Sequence, residues 1–217
     1  MQNLLVSGDI LEKMVSAGLW FVDVPRTGST SIKSILAKKF GPVFGKSGNQ
    51  QGVMKGMIPD HTPAVQIRAA VGDKVWEKLY TFSFVRNPWD RAVSLYLYRT
   101  QNNHSLTVPF RNYILSLRQP GKDPESPFSY HGYHFGNWRY VCSEQGQQIV
   151  DFVGKFENRE ADLKIVSQQT GVDYQLLLGE HIGNSERKPY SDYYDDETRE
   201  IIAEHYARDI ELFDYEF

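Results

Sequence analysis

The chain of 217 residues has a single cysteine, Cys142, so no internal disulfide can form, and no CxxC or Cys/His pattern offers a zinc site. That usage fits a reducing, cytoplasmic setting. Long hydrophobic runs are missing as well. Asp9, Glu12 and Lys13 interrupt the N-terminal segment, and nowhere do about 18 apolar residues run together, so neither a signal peptide nor a membrane span is expected. An excess of positive charge is also lacking: 24 Lys and Arg stand against 27 Asp and Glu, a formal charge of −3. Binding nucleic acid through non-specific phosphate contacts calls for a cationic surplus, so nucleic acid is not an expected partner. Internal repeats and low-complexity tracts are absent, and the most linker-like stretch is the Pro/Gly/Ser-rich run 119–129.

The chain does have apolar material, with 41% hydrophobic and 13% aromatic residues. That is enough to offset the conformational entropy of a folded core. At roughly 150 residues per domain, the length predicts one domain, 1–217, with a surface insertion at about 119–140.

Leu19 to Val24 is a short apolar run of strand formers closed by Pro25 and Gly28. Ile32, Ile35, Leu36 and Phe40 then fall at helical spacing, with Ser29 or Thr30 as the cap and Gly41-Pro42 as the stop. The pattern recurs downstream. Tyr80 to Val85 reads as a strand, Arg86-Asn87-Pro88 breaks it, and a helix opens at Trp89. Thr62 as cap, Pro63 in the first turn and Gly72 after the end frame a helix between these units, with His61 just before it. Ile149 to Phe156 is a third strand, followed by a helix over Arg159 to Thr170, and a last helix spans about Glu197 to Arg208. Alternating strands and helices predict an α/β fold, a three-layer sandwich with a central, mainly parallel sheet flanked by helices. Such sheets bind ligands at the carboxyl ends of their strands, which directs attention to the loops after Val24 and Val85.

The first loop, Pro25-Arg26-Thr27-Gly28-Ser29-Thr30-Ser31, combines a glycine for a sharp turn, hydroxyl donors, a fixed charge and the N–H groups of a helix start. That equipment suits a phosphate or sulfate, and it also suits an ordinary capped turn with a surface arginine. A Walker A loop needs GxxxxGK[ST], but here the second glycine is missing and Lys33 already lies inside the helix, which disfavours an ordinary NTP hydrolase. In the second loop, Arg86 leaves a strand end and its forked donors can grip a second phosphate, with Ser94 one helical turn beyond Asp90. The plain alternative there is a helix-terminal charge cluster of Asp90 and Arg91.

Taken together, the two loops resemble those of the PAPS-dependent sulfotransferases, in particular the carbohydrate branch that includes heparan sulfate 2-O-sulfotransferase and small bacterial relatives. FVDVPRTGSTSI is similar to the family's 5'-phosphosulfate loop. FSFVRNPWDRAVSLY is similar to its 3'-phosphate motif, an arginine followed eight residues later by a serine. DHTPAVQIRAAVG, VDFVGKFEN and the C-terminal segment from Tyr193 also resemble the bacterial relatives, so the likeness runs from about Leu19 to Phe217.

The resemblance implies a P-loop-like fold and a donor, 3'-phosphoadenosine 5'-phosphosulfate (PAPS), with no metal required. Arg26, Thr27, Gly28, Ser29, Thr30 and Ser31 would surround the 5'-phosphosulfate, Arg86 and Ser94 would take the 3'-phosphate, and Arg187 and Lys188, next to Ser185, would return to the donor. The family's first loop usually carries lysine where this chain has Arg26, which can still neutralise a leaving oxygen but cannot give up a proton. His61 would be the general base for an acceptor hydroxyl, most readily of a carbohydrate or glycoconjugate. By its pattern alone, a histidine before a helix is an ordinary surface or capping residue. Asp60 is a candidate to orient it, and Glu157 a candidate to line the nucleotide cleft or simply to favour a helix start. The aromatic segment Phe128 to Tyr140, with His131 and His134, suits contact with a sugar or flat ligand, or core packing, better than a metal. Two other readings stand beside sulfuryl transfer: a nucleotide kinase or hydrolase, and a catalytically silent nucleotide-binding module.

Overall fold

The structure, a computed structural model, describes residues 6–41, 58–101, 108–118, 135–178 and 187–217. Most of the insertion expected at about 119–140, with His131 and His134, lies outside the described residues, as does Ser185. In chain order the elements begin with α1 (Gly8–Ala17), β1 (Leu19–Val22), α2 (Ser29–Phe40), α3 (Ala64–Val71), α4 (Asp73–Trp76), β2 (Tyr80–Val85) and α5 (Pro88–Gln101). There follow α6 (Phe110–Leu115), α7 (Trp138–Val141), β3 (Phe152–Lys155), α8 (Arg159–Thr170), α9 (Tyr174–Leu178), α10 (Asp196–His205) and α11 (Ala207–Phe213). The chain divides into two compact units, Met1–Val85 with Arg139–Ile182, and Arg86–Trp138 with Gly183–Phe217.

The first unit holds the sheet. Its strands run parallel in the order β1-β2-β3, with Leu19 opposite Tyr80 and Phe82 opposite Phe152. Every residue of β1, and all of β2 after Tyr80, is buried, which is the mark of a parallel sheet covered on both faces. The fold is therefore the α/β arrangement expected, a parallel sheet flanked by helices. β1 stops at Val22, two residues early, so Asp23 and Val24 stay buried without joining the ladder. β3 is also shorter than expected, because Asp151 leaves strand pairing to accept hydrogen bonds from Thr81 N (2.7 Å) and Oγ1 (2.6 Å). Lys155 N donates to Asp162 Oδ2 at 2.6 Å and so ties the end of β3 to α8.

α2 starts without the hydroxyl cap the sequence predicts. Its cap is Gly28, in the left-handed region at φ 78°, with no side-chain hydrogen bond to the first turn. Along α2 the buried residues are Ser29, Ile32, Lys33 and Leu36, one helical face that places a lysine among core positions. α8 matches its predicted bounds and ends on left-handed Gly171.

In the second unit, the Asn87 side chain caps α5 by accepting from Trp89 N (3.0 Å) and Asp90 N (3.3 Å). Phe110 packs edge-on against Tyr96 and Tyr194 at ring distances of 5.2 and 5.0 Å, and Tyr194 OH donates to Trp89 O. The single C-terminal helix predicted from Glu197 to Arg208 is broken at Tyr206 into α10 and α11. The break turns Asp209 inward, where its carboxylate accepts from Asn137 N (2.6 Å) and Trp138 N (2.8 Å).

Candidate functional site

The loop between β1 and α2 is built around two turns. Thr27, fully buried, donates its hydroxyl to Val24 O at 2.9 Å and closes the first. Gly28 makes the second, and a Cβ there would lie 2.5 Å from Arg159 Nη1 and 3.0 Å from the Phe156 ring. Arg159 in turn donates Nη1 to Gly28 O at 3.1 Å, and its guanidinium lies over the Phe84 ring at 5.9 Å, so α8 fixes the loop from below. The result is a close-fitting backbone cradle at the start of a helix of 12 residues, whose first turn has no side-chain cap. Its N–H groups and positive dipole end suit an anion. Ser29 is buried, Ser31 half-buried and Thr30 exposed, while Arg26 is half-buried with its backbone at φ 67°.

His61 also has a left-handed backbone, at φ 59°. Among the described residues, the non-glycine positions with positive φ are Arg26, His61 and Asp214, two of which are the residues the sequence singles out for catalysis. Such conformations cost about 1–3 kcal/mol and concentrate at functional sites. His61 Nδ1 lies 3.2 Å from Asp23 Oδ2 and 3.3 Å from Asp23 O. The carboxylate that meets the ring is thus Asp23, not the sequence neighbour Asp60 proposed to orient it.

Asp60 and Asp23 instead share one ammonium. Lys33 Nζ donates to Asp23 Oδ2 at 2.5 Å and to Asp60 Oδ1 at 2.6 Å. Burial pushes the Asp23 carboxyl up, but the hydrogen bond and charge of His61 and the charge and hydrogen bond of Lys33 outweigh it and bring it down to about 2. Burial pulls Lys33 down, but Asp23 and Asp60 together hold it above its ordinary value. A small, partly open pocket of about 30 Å³ is lined by these groups together with Trp20. Sequence reasoning missed Asp23, Lys33 and Arg159. The first two did carry a signal, an acid inside an apolar strand run and a lysine on the apolar stripe of its helix.

In the second unit Arg86 is 6% exposed and Ser94 is 9% exposed. Arg86 donates Nε and Nη2 to Asp90 Oδ2 at 2.9 and 2.8 Å, and Arg187 Nη2 pairs with Asp90 Oδ1. Ser94 lies one turn beyond Asp90 on α5, on the same helix face. Arg187 Nη1 is buried and has no hydrogen-bond partner among the described residues. Asp90 therefore serves Arg86 and Arg187, whereas Arg91 donates to Phe135 O at 2.9 Å, so the Asp90–Arg91 cluster is not the arrangement found. Lys188 and Glu157 are exposed.

A sequence model described as the sulfotransferase family matches residues 16–216. An uncharacterized protein of Archaeoglobus fulgidus is 31% identical over 114 residues, covering 52% of this chain and 86% of that protein. A sulfotransferase crystal structure from Alicyclobacillus acidocaldarius aligns over 99% of this chain and 95% of its own, at 15% identity and a TM-score of 0.37. No helix among the described residues is long and apolar enough to cross a membrane.

Proposed function

The chain belongs to the sulfotransferase family, and on that premise we propose that its donor is PAPS and its acceptor a hydroxyl of a carbohydrate or glycoconjugate. The family match spans both units, so residues 1–217 are read as one sulfotransferase domain. The observation that carries the reading is the end of β1. There an anion cradle at the start of α2, a fixed charge on Arg26 and a histidine held by a carboxylate all occur within one unit.

The 5'-phosphosulfate would sit on the loop from Arg26 to Ser31, held by the first-turn N–H groups of α2 and by its hydroxyls. Arg86 and Ser94, with Arg187 and Lys188, would take the 3'-phosphate, and Asp90 keeps the two arginines poised until the anion competes for them. PAPS supplies a sulfuryl group bound to a good leaving group. His61 takes the proton of the acceptor hydroxyl as that oxygen bonds to sulfur and the bond from sulfur to the bridging oxygen breaks. Charge growing on the departing 3',5'-bisphosphate meets Arg26 and the loop N–H groups, electrostatic help of the kind that dominates phosphoryl transfer. The proposed step uses no metal. A kinase or hydrolase would need a lysine free to reach a nucleotide phosphate, and Lys33 is instead committed to two carboxylates.

The test is transfer of labelled sulfate from PAPS across a panel of sugars, glycolipids and small alcohols. In His61→Ala, turnover should fall by about 10²–10⁴-fold, the usual contribution of a general base, while affinity for the 3',5'-bisphosphate stays nearly constant. Calorimetry showing tight binding of ATP–Mg and none of the bisphosphate would overturn the reading. Bisphosphate binding without transfer to any acceptor would favour a silent nucleotide-binding module.

A further inference from the structure

Asp23 is costly where it stands. Its side chain is 7% exposed, it follows an apolar strand, and its Oδ1 has no hydrogen-bond partner among the described residues. A well-packed apolar residue would serve the core at least as well, because desolvating a charge pair often costs more than its attraction returns. Its use must be sought in what it does to its neighbours.

His61 Nδ1 lies 3.2 Å from Asp23 Oδ2 and 3.3 Å from Asp23 O, both acceptors. A backbone carbonyl never carries a proton, and with its carboxyl held at about 2 the Asp23 side chain carries none near neutral pH. The proton on that side of the ring must therefore belong to Nδ1. A neutral imidazole protonated at Nδ1 is basic at Nε2.

We propose that Asp23 is the positioning residue of His61, fixing the ring as the tautomer whose basic nitrogen is Nε2, and that Lys33, braced by Asp60, locks the Asp23 carboxylate in place to do so. The inference rests on His61 acting as the base. The left-handed backbone at His61 is part of the same device, since a residue at φ 59° persists only where surrounding contacts over-determine it. Lys33 acts on the carboxylate rather than the ring. Its bond to Oδ2, with Asp60 holding the ammonium from the other side, keeps the Asp23 carboxylate beside Nδ1.

The test starts with the unaltered protein. Nitrogen-15 shifts of His61, identified by the signal lost in His61→Gln, are read at a pH where the ring is neutral. They should show a protonated Nδ1 and a lone pair on Nε2, and the opposite tautomer overturns the proposal. Asp23→Asn is then made in a Lys33→Met background, because an ammonium bonded at the Oδ2 position would hold the amide oxygen there; without it the amide can turn its NH2 to Nδ1, the change that disables a histidine base elsewhere by selecting the wrong tautomer. Relative to Lys33→Met, turnover should fall at least tenfold and at most by the roughly 10²–10⁴-fold that the base itself supplies. Bisphosphate affinity and donor KM should stay within about twofold of the starting values, and the nitrogen shifts should move toward the Nε2-protonated form. A role in packing alone predicts a different pattern, in which turnover and affinity fall together and the tautomer does not change. Turnover in Asp23→Asn equal to that of its Lys33→Met background, with His61→Ala inactive, removes Asp23 and leaves the base. Normal turnover in His61→Ala removes the base itself, and the positioning role with it.

Discussion

Replacing Lys33 with methionine keeps the length and most of the volume of the side chain while deleting its charge. Two carboxylates lose their shared partner, Asp23 at 2.5 Å and Asp60 at 2.6 Å. Lys33 and Asp23 are 10% and 7% exposed, so water replaces little of what is lost there, while Asp60 at 27% recovers some solvation. Removing one member of a buried pair costs about 3–5 kcal/mol, and the partial exposure of Asp60 places this case near the lower end, at about 3–4 kcal/mol near neutral pH. With a urea dependence of about 2 kcal/mol per molar, the unfolding midpoint should move down by about 1.5–2 M. The loss should depend on pH in a defined direction. In the folded chain the Asp23 carboxyl is held down to about 2, against the ordinary 3.8 it has when unfolded. Its ionised form therefore adds about 2 kcal/mol of stability above pH about 4, and this fades as pH falls through about 2. Without Lys33 the carboxyl takes up its proton at higher pH, so the gap between the two proteins should narrow below about pH 4. Urea unfolding at about pH 7 and about pH 3, with hydrogen exchange at the β1 amides reporting on the first unit, measures both effects. A midpoint unchanged at neutral pH, or a gap that does not vary with pH, would refute the reasoning.

Two further substitutions test the anion sites. Arg86→Ala removes a buried guanidinium and should weaken 3',5'-bisphosphate binding by about 10–10²-fold in calorimetry, with a much smaller effect on adenosine 5'-phosphate; equal losses would move Arg86 away from the 3'-phosphate. Gly28→Ala forces a side chain into φ 78° and drives its Cβ against Arg159 and Phe156. Left-handed strain of about 1–2 kcal/mol and loss of the Arg159 bond to Gly28 O at about 1 kcal/mol predict a total near 2–3 kcal/mol, read by urea unfolding, together with weaker bisphosphate binding. Unchanged stability and affinity would contradict the tight approach of α8 to the loop.

The alternation of strand, loop and helix was readable because apolar runs and their stop signals are local. β2 falls at the predicted residues, α8 keeps its predicted bounds, and the sheet is parallel as the pattern implies. The misses arise where a distant partner decides the local structure. Thr81 draws Asp151 out of β3, and Asn137 and Trp138 draw Asp209 inward at the cost of a broken helix. α1 is not legible in the sequence, because Asp9, Glu12 and Lys13 interrupt its apolar residues and only Ile10 and Met14 are buried. At the site, the loop residues from Arg26 to Ser31 and His61 were visible as chemistry-bearing types at a strand end. Asp23, Lys33 and Asp60 were not visible as a group, since adjacency pointed to Asp60 beside His61 while the chain folds Asp23 against it.

The positive φ angles at Arg26 and His61 bear on how this protein responds to selection. Glycine or asparagine at either position would relieve backbone strain of about 1–2 kcal/mol. A library screened for heat resistance or soluble yield alone should therefore accumulate glycine at positions 26 and 61, and those winners would have shed both side chains that the transfer reaction is proposed to use. Enrichment at these two positions, in opposite senses under selection for folding and for sulfation, would separate the demands of the backbone from those of the chemistry.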